Sequence, residues 1–391
     1  MRIAHVTRNL SRQGAGVSAF VRDLAKHQSL QQTDVAFAGL RDAYTCEDTE
    51  GLGVNVYAGW PLGPARLGYS PGLSRHLRTL ASQVDIIHSH GLWGYPSYAA
   101  GRVCRKQGVP LVISTHGMLQ PWALGSSRWR KEAAWVLFQR ADLESAGCLH
   151  ATSQQELEGI RAVGLRTPVA VVPIGLDAGD CRTNTSSQML YQQWPELRSK
   201  RLILFMGRIT PVKRLDVLAT IWGDLCQRWP DWQLVIAGPD WRGHLATIRK
   251  VLNSVGATKR TTVTGPVWGD LKQAILASAS LFVLPSECEN FGIVVAEALA
   301  QQCPVIATKE TPWSDLVEFG CGWHVDGQRE SLKGELSRAM SLNDEQRMEM
   351  GKRGRALILE RYSWPKLASQ MIEVYRWVLK QADCPRCVKL A

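Results

Sequence analysis

The 391-residue sequence lacks the segments that would place it in a membrane or direct it out of the cell. No apolar run approaches the roughly 18 residues that suggest a membrane span. Its first residues, MRIAHVTRNLS, form a short alternating run broken by Arg8 and Asn9, without a signal-peptide core. Low-complexity tracts are also absent. We therefore expect a cytoplasmic protein, with peripheral contact at the inner face of the membrane as a hypothesis.

Paired cysteines are scarce. The ten cysteines are spread singly, which suits reduced thiols in a cytosolic enzyme better than a disulfide framework. The exception is Cys384-Pro-Arg-Cys387 near the end of the chain. One such pair is half a zinc site, and no second pair completes it. We interpret this segment as a frayed tail of unknown role and expect no metal or redox function for it.

Several signatures of other functions are missing. There is no Walker motif to support ATP hydrolysis, and no nucleic-acid-binding motif. No Asp-x-Asp is present, the usual Mg or Mn ligand pair of metal-dependent transferases. The net charge of +11 is divided as +4 over residues 1–180 and +7 over residues 181–391, which is too even for a nucleic-acid-binding face. Such a charge does suit phosphorylated ligands and an anionic membrane surface.

The chain exceeds what one hydrophobic core usually organises, so we expect two domains. Short β-branched segments alternate with segments of helical period in both halves, which predicts parallel sheets built from βαβ units. The predicted fold is α/β, with two Rossmann-like, doubly wound domains facing each other across a cleft that binds the ligand. The predicted boundaries are 1–180 for the first domain, 181–200 for a linker, 201–362 for the second domain, and 363–391 for a tail and a helix that packs back on the first domain.

The expected strands can be read from the sequence. They are RIAHVT, DVAFAGL, GVNVYAG, DIIHSH, PLVIST, CLHATS and VAVVPI in the first half, and RLILFMG, WQLVIAGP, TTVTGPV, LFVLPS and PVIATK in the second.

Two carboxylates lie in the stretch SECENFGIVVAEALA. One continuous helix would leave Glu289 and Glu297 roughly 80° apart, on different faces. We therefore predict a loop carboxylate at Glu289 and a helix that begins near Gly292. Both acids can then point toward one ligand. The alternative is that Glu297 is a structural acid paired with a neighbouring base.

The segment FMGRITPVKRLD supplies basic residues just before a predicted helix. Arg208 offers a fork of donors and Lys213 a point charge, a combination that suits a diphosphate. The alternative is a solvated basic loop. Free N–H groups at the helix start near Gly292 would also face an anion. An anionic centre with hydroxyl-bearing ends on Glu289 and Glu297 would be a nucleotide sugar.

The first half has weaker signals. Gly14 and Gly16 follow the first strand and precede a helix, but the segment departs from GxGxxG at Ala19. For His88 and His90 we favour ordinary packing over a metal site, because no carboxylate is in register with them. His116 stands apart. It lies in a glycine-containing loop at the carboxyl edge of a strand, and we expect a ligand contact there.

Aromatic and basic residues alternate in MLQPWALGSSRWRKEAAWVLFQR. Trp122 and Arg128 are our candidates for acceptor binding, and Trp129 and Trp135 follow them. Such a segment can dock an amphipathic acceptor or rest on lipid headgroups. The alternative, which we weigh equally, is a surface helix whose tryptophans pack inward.

Arg208, Lys213 and the E-x7-E pair of Glu289 and Glu297 resemble the donor site of the retaining GT-B glycosyltransferases of family GT4. The resemblance extends over almost the whole chain, and its first half is similar to bacterial surface-polysaccharide and lipopolysaccharide transferases more loosely. It implies that Glu289 contacts the transferred sugar near the anomeric carbon and that Glu297 binds the ribose hydroxyls. Arg208 and Lys213 would neutralise the departing diphosphate.

The resemblance also implies roles for residues that carry less signal of their own. His116 would contact the donor sugar, and the Gly14–Gly16 loop would close over the phosphates. Asn290 departs from the small residue usual in the family, and we expect it to affect specificity. The remaining implied donor-binding residues are Val267, which would line the base pocket, Phe291 and Gly292, which would present backbone N–H groups, and Ile293.

The implied activity is retaining transfer of a hexose from a UDP- or GDP-sugar, without a metal cofactor. The acceptor would be a hydroxyl of a glycan or of a polyprenyl-diphosphate-linked glycan in exopolysaccharide or lipopolysaccharide synthesis. The alternative is a catalytically silent GT-B-like protein that binds a nucleotide sugar. A Rossmann oxidoreductase is disfavoured by the missing GxGxxG. A requirement for an acceptor would separate a transferase from a phosphorylase or nucleotide-sugar hydrolase.

Overall fold

Strands and helices alternate along residues 1–64, 67–125, 127–177 and 187–390, which are described by a computed structural model. The strands are β1 (Arg2–Asn9), β2 (Asp34–Leu40), β3 (Asn55–Gly59), β4 (Ile86–His90), β5 (Leu111–Ser114), β6 (Cys148–Ala151), β7 (Val169–Val171), β8 (Arg201–Met206), β9 (Trp232–Ala237), β10 (Thr261–Gly265), β11 (Ala279–Leu284), β12 (Val305–Thr308), β13 (Gly322–Val325) and β14 (Val388–Lys389).

The α-helices between them vary from one turn to five. They are α1 (Ala15–Leu30), α2 (Thr45–Thr49), α3 (Pro71–Ala81), α4 (Tyr95–Gln107), α5 (Pro121–Gly125), α6 (Arg128–Ala134), α7 (Arg140–Ser145), α8 (Gln154–Ala162), α9 (Gln188–Gln193), α10 (Leu215–Leu225), α11 (His244–Ser254), α12 (Gly269–Ser278), α13 (Ile293–Ala300), α14 (Asp315–Glu318), α15 (Arg329–Ser341), α16 (Asp344–Arg361) and α17 (Trp364–Val378).

The chain forms two units. The first contains Met1–Gly175 and Trp364–Ala391, and the second contains Leu176–Ser363. The prediction of two α/β domains built on parallel strands is therefore confirmed.

The sheet of the first unit has the strand order β14-β7-β6-β5-β4-β1-β2-β3. All of its neighbouring strands are parallel except β14. Side chains of successive residues in a strand point to opposite faces, so Ile3 and Val6 of β1 enter different apolar clusters. One cluster is covered by α1 and α17, through residues such as Phe20 and Tyr375. The other is covered by α3 and α4, which pack their small and branched residues on it.

The C-terminal segment is not the frayed tail that we expected. β14 pairs antiparallel with β7, with Val388 opposite Ala170, and Val388 is buried. The Arg161 guanidinium also donates to the Lys389 carbonyl oxygen at 3.2 Å. An uncovered edge strand would expose unpaired N–H and C=O groups, and β14 satisfies those of β7. Cys387 therefore lies in an ordered strand connection rather than in a free tail.

The sheet of the second unit is fully parallel, in the order β10-β9-β8-β11-β12-β13. Its edge strand β13 was missed in the sequence because GWHV lacks a run of β-branched residues. Residues 181–186 of the predicted linker lie outside the described residues. Residues 188–197 belong to the second unit as α9 and a 3-10 turn, because Leu190 and Leu197 are fully buried.

Helix ends are fixed by local hydrogen bonds. The Ser70 hydroxyl accepts from the Leu73 N–H at the start of α3, and Asn343 forms a capping box with Gln346 at the start of α16. A π-turn at Trp135–Gln139 joins α6 to α7 in one helical segment. None of the described helices is long and apolar enough to cross a membrane.

Candidate active site

The loop before α13 places Glu289 at the start of a helix. α13 begins at Ile293, with Gly292 as its N-cap, so the predicted helix start is confirmed. Gly292 has φ +75°, in the left-handed region that glycine adopts without strain. A Cβ atom there would lie 3.0 Å from Glu289 Cγ and 3.4 Å from Trp313 Nε1. Glycine is therefore needed both for the turn and for the approach of the Glu289 side chain to it.

Glu289 and Lys213 form an ion pair in the second unit. Lys213 ends the 3-10 turn that follows β8, and its ammonium group donates to Glu289 Oε2. Both side chains are largely buried, with 14% and 18% of their surface exposed. Removing one partner from such a pair leaves a poorly solvated charge. The two residues were predicted in one site, and the structure brings them together as partners.

Arg208 lies at the carboxyl end of β8 and is exposed. Its guanidinium group stacks over the Trp241 ring at 5.6 Å from the ring centre. The Ile209 N–H donates to the Pro239 carbonyl oxygen at 2.9 Å and fixes the backbone beside Arg208. The loop is thus ordered by stacking and backbone pairing, and its guanidinium plane is held at the carboxyl edge of the sheet.

Glu297 combines the two interpretations given to it from the sequence. Its Oε1 accepts from Lys272 Nζ of α12 at 2.6 Å, so it does pair with a neighbouring base. Its Oε2 is buried and has no hydrogen-bond partner among the described residues. A buried polar atom without a partner is costly, and native proteins usually satisfy it. This oxygen is the strongest indication of a ligand contact in the second unit.

The other expected donor-binding residues differ in how much of the side chain is accessible. Phe291 is buried against the rings of Trp313 and Tyr362, and its carbonyl oxygen accepts from Trp313 Nε1 at 2.6 Å, which leaves its backbone N–H for a ligand. Val267 is buried in the loop between β10 and α12. Asn290 and Ile293 are half-buried. All of these residues lie in the second unit, together with Arg208 and Lys213.

In the first unit, the glycine loop is shorter than predicted. Gly14 is the N-cap of α1, and Gly16 is already inside the first turn of this helix. A Cβ atom on Gly14 would lie 1.7 Å from Ser18 Oγ, whereas one on Gly16 would meet nothing within 4 Å. Gly14 is therefore required for packing, and Gly16 faces open space. Gly14, Asn9 and His90 line a cavity of about 370 Å³.

His116 lies in a strained turn held by Glu156. Its φ is +48°, which is uncommon for a residue with a side chain. Glu156 Oε1 accepts from the Thr115 hydroxyl and from the Gly117 N–H, both at 2.5 Å, on either side of His116. Glu156 Oε2 accepts from the backbone and the hydroxyl of Thr152. The buried carboxylate thus fixes the turn that carries His116.

Glu156 was missed in the sequence because its spacing has a simpler meaning. It follows Ser153 by three residues, the spacing of an N-terminal capping pair. Ser153 does cap α8, since its hydroxyl accepts from the Glu156 N–H. No local signal shows that the Glu156 carboxylate reaches the loop after β5.

The histidines at the strand ends are connected rather than merely packed. His5, His88, His90 and His150 are fully or almost fully buried. His90 Nδ1 lies 3.3 Å from His116 Nε2, and His88 bonds to Ser114. Burial lowers the pKa of His5 to about 4 and that of His116 to about 4. These imidazoles are therefore neutral near pH 7.

The aromatic segment of the first unit is only partly packed inward. Trp122 and Trp129 are 52% and 69% exposed, whereas Trp135 packs on the Trp93 ring. Arg128 is exposed and donates to Glu132 at 2.7 Å. A cavity of about 560 Å³ lies beside it, lined by residues that include Trp93, Pro121, Leu124, Arg128, Lys131 and Trp135. Exposed tryptophans beside an apolar cavity favour the docking interpretation over inward packing.

Comparison with known families gives two matches. The model described as "Glycosyl transferases group 1" matches residues 190–357, and the "Glycosyl transferase 4-like domain" matches residues 15–175. The GDP-mannose:cellobiosyl-diphosphopolyprenol alpha-mannosyltransferase of Xanthomonas oryzae pv. oryzae is 24% identical over 96% of each chain. The D-inositol 3-phosphate glycosyltransferase of Nocardioides sp. is 30% identical over 75% of this chain and 67% of the relative.

Solved structures show the same architecture. Anabaena Alr3699/HepE, in complex with UDP and glucose, has a TM-score of 0.78 at 18% identity, over 96% of this chain and 99% of that one. Sucrose-phosphate synthase from Thermosynechococcus elongatus has a TM-score of 0.77 at 19% identity, over 98% and 100%. The fold is that of the GT-B glycosyltransferases, as predicted. With the sequence matches, the chain belongs to glycosyltransferase family GT4.

Proposed function

We propose that this protein is a retaining glycosyltransferase that uses a nucleoside-diphosphate sugar. It transfers a hexose to a hydroxyl of a glycan or of a polyprenyl-diphosphate-linked glycan. The observation that carries the proposal is the state of Glu297, whose buried Oε2 has no hydrogen-bond partner among the described residues.

A vicinal diol is the ligand that suits Glu297. Lys272 Nζ already donates to Oε1, so Oε2 is left to accept a hydrogen bond from a hydroxyl donor. Ribose in a nucleotide presents two such hydroxyls side by side. We therefore assign Glu297 to the ribose, with Val267 in the neighbouring loop lining the base pocket.

We assign neutralisation of the charge on the leaving diphosphate to Arg208 and Lys213. Arg208 is exposed at the carboxyl end of β8, and Lys213 ends the turn that follows this strand. The N-terminus of α13 adds backbone N–H groups that follow Gly292. Because the sequence has no Asp-x-Asp, we assign charge neutralisation to these groups rather than to a metal ion.

The reaction breaks the bond between the anomeric carbon and the phosphate oxygen. Its electron pair stays on the diphosphate, while the acceptor oxygen forms a new bond on the same face of the sugar. The acceptor hydroxyl proton moves to the leaving phosphate oxygen, so the products are a nucleoside diphosphate and a glycoside of retained configuration. Positive charge builds at the anomeric carbon in the transition state, and Glu289 supplies the negative charge that stabilises it.

The acceptor side belongs to the first unit. Trp122 and Arg128 lie on an exposed aromatic segment next to the larger cavity, which fits an amphipathic acceptor. The Xanthomonas relative is named for transfer to a cellobiosyl-diphosphopolyprenol. A polyprenyl-diphosphate-linked glycan is therefore the first acceptor class to test.

The donor proposal is tested by thermal stabilisation with UDP, GDP, ADP and their common sugars. We expect one nucleotide to raise the Tm of the wild type, and Glu297→Ala and Arg208→Ala to weaken that shift. Loss of a hydrogen bond to a charged group corresponds to roughly 10- to 100-fold in affinity. Glu318→Gln, which breaks an exposed ion pair with Arg361 in the same unit, serves as the control and should keep the shift.

Transfer is then measured with the matching sugar nucleotide and polyprenyl-diphosphate glycans. An α-linked product from an α-linked donor, formed only when acceptor is present, supports retaining transfer. Binding without transfer to any glycan would favour the catalytically silent protein. Stabilisation that Glu297→Ala leaves unchanged would contradict the assigned ribose site.

A further inference from the structure

A continuous chain of hydrogen bonds leads through the first unit to His116. Its donor–acceptor distances run from 2.6 to 3.4 Å. Except for His116, every side chain in it is at most 4% exposed. In order, it joins the Val172 carbonyl oxygen, His150, Ser114, His88, Tyr375, Gln28, His5, His90 and His116.

Each imidazole in this chain carries one proton near pH 7. Burial lowers the pKa of His88 and His90 well below the usual range, and lowers that of His150. A neutral imidazole donates from one ring nitrogen and accepts at the other. If the partner of one ring nitrogen can only donate or only accept, it therefore determines which of the two nitrogens carries the proton.

The direction of the chain is set at its inner end. The Val172 carbonyl oxygen can only accept, so His150 must carry its proton on Nε2. His150 Nδ1 then accepts from the Ser114 hydroxyl at 2.6 Å. Because the Ser114 hydroxyl has only one proton and donates it to His150, its oxygen must accept from His88 Nε2 at 2.7 Å. His88 Nδ1 in turn accepts from the Tyr375 hydroxyl at 2.6 Å.

The same direction continues from Tyr375 to the end of the chain. With its proton given to His88, the Tyr375 oxygen accepts from the Gln28 amide nitrogen, and Gln28 Oε1 accepts from His5 Nε2 at 2.7 Å. His5 Nδ1 accepts from His90 Nε2 at 2.9 Å. His90 Nδ1 accepts from His116 Nε2. Every imidazole is therefore an Nε2–H tautomer.

We propose that this chain, with Tyr375 as its positioning residue, holds His116 in the Nε2–H tautomer so that Nδ1 accepts a hydrogen bond from a substrate hydroxyl. His116 Nδ1 has no hydrogen-bond partner within the part of the chain that the structure describes. The choice of a substrate hydroxyl as the donor rests on the proposed glycosyl transfer. Tyr375 lies on α17 and does not contact His116, so it acts through the chain.

A buried metal site is the competing explanation. Ligand atoms of His5, His88 and His90 lie within 4.8 Å of one another, the one such group among the described residues. However, both ring nitrogens of each of these histidines already have a hydrogen-bond partner. The group also contains no carboxylate to offset the charge of a buried cation. Hydrogen bonding therefore explains the cluster without an ion.

Tautomers are measured directly by long-range ¹H–¹⁵N NMR of the full chain with ¹⁵N-labelled histidine, near pH 7.5 and without substrate. The expected result is an Nε2–H tautomer for His5, His88, His90, His116 and His150. An Nδ1–H tautomer or an imidazolium at any of the five would overturn the proposal. So would a Zn²⁺-dependent change in the signals of His5, His88 and His90.

Tyr375→Phe then removes the central hydroxyl while keeping the ring. The amide of Gln28 can rotate in this variant, which lets the segment from Gln28 to His116 reverse. We expect an Nδ1–H population at His116, with His150 unchanged. Tyr362→Phe is the matched control, because it removes another buried hydroxyl, bonded to Asp315 in the second unit. An unchanged His116 tautomer in Tyr375→Phe, in protein that remains folded, would also overturn the proposal.

Activity gives an independent readout. His116→Asn keeps an acceptor oxygen near the position of Nδ1 and tolerates a positive φ, whereas the amide of His116→Gln reaches the Nε2 position. We expect His116→Asn to retain roughly two- to tenfold more kcat/KM than His116→Gln, the value of one neutral hydrogen bond. The reverse order would contradict the acceptor role. Wild-type protein without transfer activity would refute the proposed function and leave the NMR result standing.

Discussion

The two units prepare their candidate residues by different physical means. In the second unit, charged side chains are positioned by ion pairs, namely Lys213–Glu289 and Lys272–Glu297. In the first unit, neutral imidazoles are held by a directional chain that ends at His116. Charged pairs tolerate small shifts because Coulomb energy changes gradually with distance. Tautomer control depends on each link, so it is more sensitive to a single lost hydroxyl.

The largest effect on activity is expected for Glu289, which forms an ion pair with Lys213 in the second unit. Glu289→Gln removes the negative charge that we propose to lie beside the reacting carbon, and it leaves Lys213 largely buried without its partner. We expect kcat to fall by about 10²- to 10³-fold, as for other groups that stabilise transition-state charge. Glu318→Gln provides the control. Turnover within threefold of wild type would show that the charged pair is structural.

A smaller effect is expected for Glu156, whose carboxylate holds the turn that carries His116 in the first unit. Glu156→Gln replaces an acceptor oxygen with a donor, so the bonds to Thr115, Gly117 and Thr152 cannot all remain. We expect a lower Tm and about a tenfold loss of kcat/KM, because the His116 turn loosens. Glu158→Gln, on the exposed side of the same helix, should change neither. A lower Tm with unchanged kcat/KM would limit Glu156 to a structural role.

Lowering the pH should destabilise the first unit more than the second. The folded-state pKa of about 4 at His5 lies below that of an exposed imidazole, about 6.5. As the pH falls, the unfolded chain therefore binds protons first, and the first unit loses stability between about pH 6.5 and 4. The second unit contains only His244 and His324. Calorimetry at pH 7.5 and 5.0, with hydrogen exchange to assign each transition, checks this. Loss of the second unit first would contradict it.

The smallest effect concerns the exposed aromatic segment. Trp129→Ser and Leu137→Ser should each weaken binding to anionic vesicles several-fold, because both side chains are mostly exposed. Trp268→Ser removes the most exposed tryptophan of the second unit and is the control. Sedimentation with vesicles measures the partitioning. Wild-type protein that stays entirely in solution would remove the membrane hypothesis.

Sequence patterns predicted what is local. The helix start at Gly292 and the spacing of Glu289 and Glu297 are set by neighbours within a few residues. The strand–helix alternation is local in the same way, and parallel sheets follow from it by the general rule for βαβ units. Short apolar runs, typical of strands that are buried on both faces, made twelve of the strands recognisable. The donor-side assignments remain predictions, because no ligand contact tests them.

Contacts between residues far apart in the sequence could not be predicted from local patterns. His88 and Tyr375 are separated by 287 positions, and Thr115 and Glu156 by 41. Their pairing depends on how the sheet brings strand ends together, which no spacing rule encodes. β14 was missed for a similar reason, since its two residues become a strand only when β7 offers an edge.

The path of the chain has a further consequence for how the protein is made. Leu176 and Ser363 form a parallel bridge, while a Cβ on Gly175 would touch the Trp364 ring, so the chain leaves the first unit and returns at nearly one point. The second unit is thus an insertion in the first. On the ribosome, its residues are all synthesised before α17 emerges. The hydroxyl of Tyr375, to which we assign the orientation of the histidines, is therefore made only after the whole second unit, and the tautomer of His116 can be set only then.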